Sequence, residues 1–308
     1  MKKAAVIHDL SGFGKCSLTA AIPVLSALGV QCCPVATAVL TGQTGYPCYH
    51  CTDLTAMLPD YIDAWGKNNA HFDAIYSGFL TGAEQISQVL DFIRQFREEH
   101  TLLLVDPVMG DDGNAYPFFT PGLLNGMKEL TLEADVITPN LTEACLLADI
   151  PENALLHCRT NTDLLKLAED VALRLQKKAS HPQDVVITGV KCRDEKHPVI
   201  YNIAATANGI YRHESPFFDL SQHRRARKRS DQRSVPTQHG LHIHRSALRH
   251  RRCCKLQSLH GQTRAGAREI LCWKCHLHAG NPRCDSLRCR SAFSAPDDAS
   301  LWCNTGRH

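Results

Sequence analysis

The four residues Leu102-Leu103-Leu104-Val105 run without a polar interruption and stop at Asp106-Pro107. A strand with one face in water alternates apolar and polar residues. An unbroken run this short is buried on both faces, as in a central strand of a parallel sheet. Similar short runs recur at 4–7, 30–39, 72–76, 135–138 and 184–188, and longer segments lie between them. The spacing predicts helices over 17–28, 83–98, 141–147 and 162–178. In the second of these, Ile86, Val89, Leu90, Ile93 and Phe96 share one face. Strand, helix, strand in this order predicts an α/β fold: a doubly wound, mostly parallel sheet with helices on both faces. A Gly-rich turn is expected after the first strand.

Composition divides the chain in two. Among 308 residues the net charge is +3, but residues 221–308 hold +13 and residues 1–220 hold −10. The last 88 residues contain 9 of the 17 His and 7 of the 15 Cys, while Leu, Ile, Val and Phe together number 12. So low an apolar content in a charged segment predicts disorder. The expected organisation is therefore one domain over 1–220 and an Arg/His/Cys-rich tail over 221–308.

No run of 18 apolar residues exists, which argues against a membrane span. The apolar run at the N-terminus ends after four residues, too short for a secretory segment. The cysteines of the body are read as reduced, buried thiols within apolar segments, not as a disulfide scaffold. Together these features predict a cytoplasmic protein.

In sheets of this kind ligands bind beyond the carboxyl ends of the strands. Four strand ends carry small, polar and acidic residues: Asp9-Leu10-Ser11-Gly12-Phe13-Gly14-Lys15, Asp106-Pro107-Val108-Met109-Gly110-Asp111, Thr138-Pro139-Asn140-Leu141-Thr142-Glu143, and Thr188-Gly189. Each has a plain structural reading. Asp-Pro after a strand serves as a turn. Asn140 with Glu143 three residues on is the signature of a helix capping box. Gly12-x-Gly14-Lys15 is not a phosphate-binding P-loop, since that motif needs Gly where Asp9 stands and Ser or Thr where Cys16 stands.

Taken jointly, these segments and Tyr76-Ser77-Gly78-Phe79-Leu80 resemble the ribokinase-like superfamily, in its bacterial pyridoxal/pyridoxamine kinase branch. The likeness runs from residue 1 to about 213, and D-P-V-M-G-D followed by I-T-P-N-x-x-E is its most specific part. The resemblance implies ATP-dependent phosphorylation of a hydroxymethyl group on a vitamin B6 ring. It implies Mg²⁺ organised by Asn140 and Glu143, and Asp106 and Asp111 between metal, phosphate and substrate. Thr138 and Thr188 would contact phosphate oxygens. Asp9 falls where the family meets the pyridine ring, Phe79 lies in the same substrate region, and Thr44 belongs to a lid loop. Such residue types suit phosphoryl transfer, which depends on positioning and charge neutralisation by hard oxygen ligands. Asp9-Leu10-Ser11-Gly12 is also similar to the hydroxymethylpyrimidine kinases of the superfamily. Its members often form dimers, so a homodimer is an expectation.

The chain departs from the pattern at one place. Family members continue with a strand pair and a G-T-G-D segment, whose Asp is the catalytic base and whose amides form an anion hole. No G-x-G-D occurs here, and the expected position reads Ser221-Gln222-His223-Arg224-Arg225. A shifted reading frame would produce such a break. Codons can be chosen for 221–225 that read His-Ser-Thr-Gly in the alternative frame, although the next codon permits Glu rather than Asp. Poor folding and little or no kinase activity are expected in consequence. Two other readings attach to the tail: a zinc site at Cys272, Cys275, His276, His278, Cys284 and Cys289, and a nucleic-acid patch at 224–229. Neither is expected, because a segment so rich in these residue types yields such spacings by chance. The partners expected are a B6 vitamer and ATP, with no membrane and no nucleic acid.

Overall fold

A computed structural model describes residues 1–216, except Pro117, Glu152 and 193–198. The tail over 221–308, with its expected disorder and its zinc and nucleic-acid readings, lies outside the described residues.

Eleven strands and seven helices are described: β1 Lys3–Phe13, α1 Ser17–Ala27, β2 Gln31–Gly42, β3 Cys51–Asp53, α2 Leu58–Lys67, β4 Ala74–Ser77, α3 Ala83–Phe96, β5 Leu102–Val105, β6 Gly110–Asp111, β7 Asn114–Ala115, α4 Pro121–Glu133, β8 Val136–Ile137, α5 Leu141–Leu147, α6 Asn153–His157, α7 Asn161–Lys178, β9 Asp184–Cys192, β10 Val199–Thr206 and β11 Gly209–Pro216. Nine strands form one sheet in the order β11-β10-β9-β8-β5-β4-β1-β2-β3. The six from β9 to β2 run parallel, while β3, β10 and β11 are antiparallel additions at the two edges. The doubly wound sheet is as the sequence predicts, and β5 occupies its middle with all four residues buried.

Alternation along β1 shows how two faces are served. Ala5 and Ile7 join a large core with Ile86, Phe92 and Phe96 of α3, Met127 and Leu130 of α4, Ala144 and Leu147 of α5, and Val171 and Leu175 of α7. Ala4 and Val6 face the other way and meet Leu18, Ala21 and Leu25 of α1, together with Leu104, Val136 and Val186. Each large side chain so buried contributes roughly 1.5–3 kcal/mol. Trp65, Phe72, Phe92 and Phe96 meet one another edge-on or tilted where α2 and α3 pack on the sheet.

Two expectations are corrected. The turn expected after Ile7 is strand as far as Phe13, and the chain turns at Gly14, whose φ is +94°. The reason is tertiary. β1 leaves β4 at the pair Ile7–Ser77 but keeps β2 as a partner to the pair Phe13–Gly42. With β3 beside them, β1 and β2 therefore project about 20 Å beyond the end of β4. The eight described cysteines are free, as expected, yet of these only Cys145 and Cys192 are buried and Cys48 is exposed. Burial pushes the Cys145 thiol up to about 11, and that of half-buried Cys32 to about 12.

Candidate active site

The carboxyl ends of the parallel strands share one side of the sheet, its carboxyl rim, and the predicted site residues other than Thr44 stand there. At one end, Asp9 sits where the β1–β2 register slips between His8 and Leu10. Such an irregularity re-aims side chains. Asp9 Oδ2 accepts a hydrogen bond from Ser11 Oγ at 2.8 Å, and His8 Nδ1 lies 3.4 Å from Oδ1. Burial raises the Asp9 carboxyl, but its polar neighbours His8, Ser17 and Ser11 hold it below its ordinary value. Asp9 is thus an ionised, buried acceptor at neutral pH.

Phe79 follows β4 and is brought to the same place. Its backbone N–H points at His8 Nδ1 at 3.2 Å, its carbonyl accepts from Thr37 Oγ1 at 2.8 Å, and its half-buried ring meets Phe118 edge-on. Thr44 is separate: it is exposed in the β2–β3 connection, two residues beyond the last β1–β2 pair, next to a Phe13–Tyr46 ring contact of 4.9 Å.

The other half of the rim is built from three strand ends. Asp106, after β5, donates its N–H to Ser77 O at 2.8 Å, and its Oδ1 is 3.5 Å from Thr138 Oγ1 after β8. Asn140 caps α5 by accepting from the Glu143 N–H at 2.9 Å, while Glu143 Oε2 accepts from the Asn140 N–H at 2.7 Å. The structural reading of that pair is therefore realised. More is attached to it: Asn140 Nδ2 donates to Gly110 O at 2.7 Å, and Glu143 Oε1 faces the Met109 N–H at 3.4 Å. The pair thus fastens the Met109-Gly110 turn to the rim. Thr188 pairs with Asn140 as an isolated bridge, and its hydroxyl lies 3.4 Å from Pro139 O. Beside it the β9–β10 register slips, and Asn202 Oδ1 takes the Gly189 N–H at 3.0 Å. Asp111 stands half-buried on the β6–β7 hairpin, whose turn residues Asp112 and Gly113 both have positive φ.

These donors decide which kind of metal the rim suits. Mg²⁺ typically takes one or two carboxylates and completes its shell with water and substrate phosphate oxygens. Asp106 and Asp111 offer hard oxygens of that kind. Glu143 is fully buried with both oxygens on backbone N–H groups, so it fits as negative charge behind Asn140 rather than as a direct ligand. Among the described residues no three His, Cys, Asp or Glu side chains form a metal cage. Asp106 and Asp111 suit an ion whose remaining ligands are water and phosphate oxygens.

His8 and Gly78 belong to the segments that carry the resemblance, but sequence reasoning assigned neither a role. Their signal was present as His-Asp at one strand end and Ser-Gly-Phe at the next, but nothing in the chain order says that the two strands adjoin. No described helix is long and apolar enough to cross a membrane.

This sheet, with polar residues gathered on its carboxyl rim, is the architecture of the ribokinase-like kinases. The family model for phosphomethylpyrimidine kinase matches residues 14–224, and the chain belongs to that family, a family of phosphotransferases. Among solved structures it is similar to a Bacteroides thetaiotaomicron protein assigned as a phosphomethylpyrimidine kinase, in an orthorhombic form with pyridoxal. Identity there is 41%, coverage 70% of this chain and 73% of the other, and the TM-score 0.63. Pyridoxal kinase from Lactobacillus plantarum is 28% identical over 71% of this chain and 74% of its own, with a TM-score of 0.61. The pyridoxal kinase PdxY of Corynebacterium diphtheriae is 26% identical over 70% of this chain and 74% of its own.

Proposed function

We propose that the body of this chain is a vitamin B6 kinase domain, which binds pyridoxal, pyridoxamine or pyridoxine for ATP-dependent phosphorylation of the 5′-hydroxymethyl group. The observation that carries this reading is the joining of two half-sites on one rim. Asp9, His8 and Phe79 gather at the ends of β1 and β4, and Asp106, Thr138, Asn140, Glu143 and Thr188 gather at the ends of β5, β8 and β9. The backbone bond from Asp106 to Ser77 links them. Similarity to a protein solved with pyridoxal and to pyridoxal kinases supports the same substrate class.

In this reading Asp9 and Phe79 hold the ring, with Thr44 over it in the lid. Thr138 and Thr188 donate to phosphate oxygens, and Asp106 and Asp111 hold the metal-bound phosphate in line with the hydroxyl. Mg²⁺, when bound, neutralises charge on the transferring group. The γ-phosphoryl passes from ATP to the 5′-oxygen, ADP leaves, and the proton of that hydroxyl must go to a base. The G-T-G-D aspartate that serves as this base in the family has no counterpart in the sequence. The family match ends at residue 224, close to the change of composition at 221, which supports loss of the catalytic loop in this chain.

Two measurements on the purified chain test the proposal: pyridoxal titration, and ATP-dependent formation of pyridoxal 5′-phosphate. Binding with little or no turnover is expected. Robust turnover overturns the loss of the loop, and an absence of pyridoxal binding overturns the substrate class. Membership of the phosphomethylpyrimidine kinase family favours a second reading, phosphorylation of a hydroxymethylpyrimidine. Displacement of bound pyridoxal by that alcohol at lower concentration than by pyridoxamine would select it.

A further inference from the structure

His8 Nδ1 stands between a donor and an acceptor: the Phe79 N–H at 3.2 Å and Asp9 Oδ1 at 3.4 Å. One ring nitrogen cannot serve both. Unprotonated, it accepts from Phe79 with its one lone pair and offers nothing to the carboxylate; protonated, it donates to Asp9 and gives up Phe79. Nε2 faces Tyr76 Oη at 3.4 Å, a hydroxyl able to donate or accept. The ring has no room to reorient. It is 5% exposed, Tyr76 packs edge-on at 5.5 Å, and a Cβ placed on Gly78 would overlap Nε2, Cε1 and Cδ2. Gly78 is therefore the residue that admits the imidazole.

We propose that His8 is a positioning residue, held as the neutral Nε2–H tautomer, whose Nδ1 accepts the Phe79 N–H and so fixes the end of β4 against the end of β1. Three features converge on this. The Phe79 contact is the shorter of the two, and the hydroxyl of Tyr76 faces the Nε2–H of this tautomer as an acceptor. Asp9 keeps Ser11 Oγ as a donor at 2.8 Å whichever nitrogen of His8 carries the proton. The carboxylate then stays oriented for a ligand, and the Phe79 ring is presented beside it. That consequence for ligand binding rests on the vitamin B6 reading; the tautomer does not.

Long-range ¹⁵N–¹H correlation spectra of the full chain, with the His8 signals assigned by their loss in His8→Gln, report the tautomer directly. Nδ1 unprotonated and Nε2 protonated is the expected pattern; a proton on Nδ1 overturns the proposal. The Phe79 amide signal should move in His8→Leu and return toward its native position in His8→Gln, whose carbonyl can accept the same N–H. Pyridoxamine affinity should fall about tenfold in His8→Leu, the equivalent of one lost hydrogen bond, and recover to within about threefold in His8→Gln. Gly78→Ala should reproduce His8→Leu, because it expels the ring. Native-like Phe79 signal and affinity in His8→Leu would overturn the positioning role. If the wild-type chain binds no pyridoxamine, the substrate reading fails, while the tautomer and the Phe79 signal still decide the proposal for His8.

Discussion

Asn140 and Glu143 cap one another: each side chain accepts the other's backbone N–H, at 2.9 and 2.7 Å, and each also reaches the Met109-Gly110 turn. One pair of residues thus starts α5 and anchors the turn that precedes Asp111.

Removing either partner should therefore affect stability before any ligand is added. Glu143→Ala leaves two buried N–H groups without their acceptor, each costing about 1–3 kcal/mol. A loss of about 3 kcal/mol or more in denaturant unfolding is expected. Asn140→Asp keeps the cap but faces Gly110 O with an acceptor, so a smaller loss of about 1–2 kcal/mol should follow. Equal stability of Glu143→Ala and wild type would show that the network does not hold the turn.

Gly110 has a separate requirement. A Cβ there would overlap the Asn114 carbonyl across the β6–β7 hairpin. Gly110→Ala must displace backbone, and overpacking of this kind costs about 1–3 kcal/mol. Thermal unfolding should show the loss, while Gly113→Asn, which keeps a residue tolerant of its positive φ, should cost less.

Asp9→Asn tests whether the buried charge serves a ligand. The amide oxygen can still accept from Ser11, so the fold should survive with a change of about 1 kcal/mol or less. Pyridoxamine affinity by calorimetry should drop about tenfold or more, through loss of a charge-assisted contact. Unchanged affinity would remove Asp9 from the site.

The acid limb of stability should carry a contribution from Asp149. Hydrogen bonds from Lys128 and Lys178 hold its carboxyl at about 2, below the ordinary 3.8. A depressed folded-state value means stabilisation that is complete above 3.8 and fades as pH falls through about 2. The group is 56% exposed, so solvent and salt screen the pair, and about 0.5 kcal/mol is expected. The stability difference between wild type and Asp149→Asn should be constant from neutral pH to about 5 and vanish near pH 2. A difference that persists at pH 2 would assign it to packing.

Much of this organisation was legible in the chain. Leu102–Val105 has its predicted limits because an unbroken apolar run has few alternatives to a central strand. Asn140 and Glu143 announce a helix start through local spacing, and the helix Leu141–Leu147 begins where they place it. The short antiparallel strand Cys51–Asp53 and the hairpin Gly110–Asp111/Asn114–Ala115 carry no comparable signal, since two or three paired residues leave no periodicity to read. The extension of β1 to Phe13 was hidden for another reason: its Gly and Ser look like a turn until β2 supplies a partner.

The sequence by itself determined the sheet class, the residue types at its strand ends, the cap at Asn140 and the change of composition at 221, because these depend on spacing and local hydrogen bonding. Tertiary structure decided which ends adjoin. Strand order, not chain order, sets β1 beside β4, and so brings His8 against Gly78 and Phe79 across 71 residues of sequence. It also decided that Glu143 is buried with both oxygens on backbone N–H groups. A side chain's protonation and partners follow from what packs around it, and that is settled only when distant strands meet.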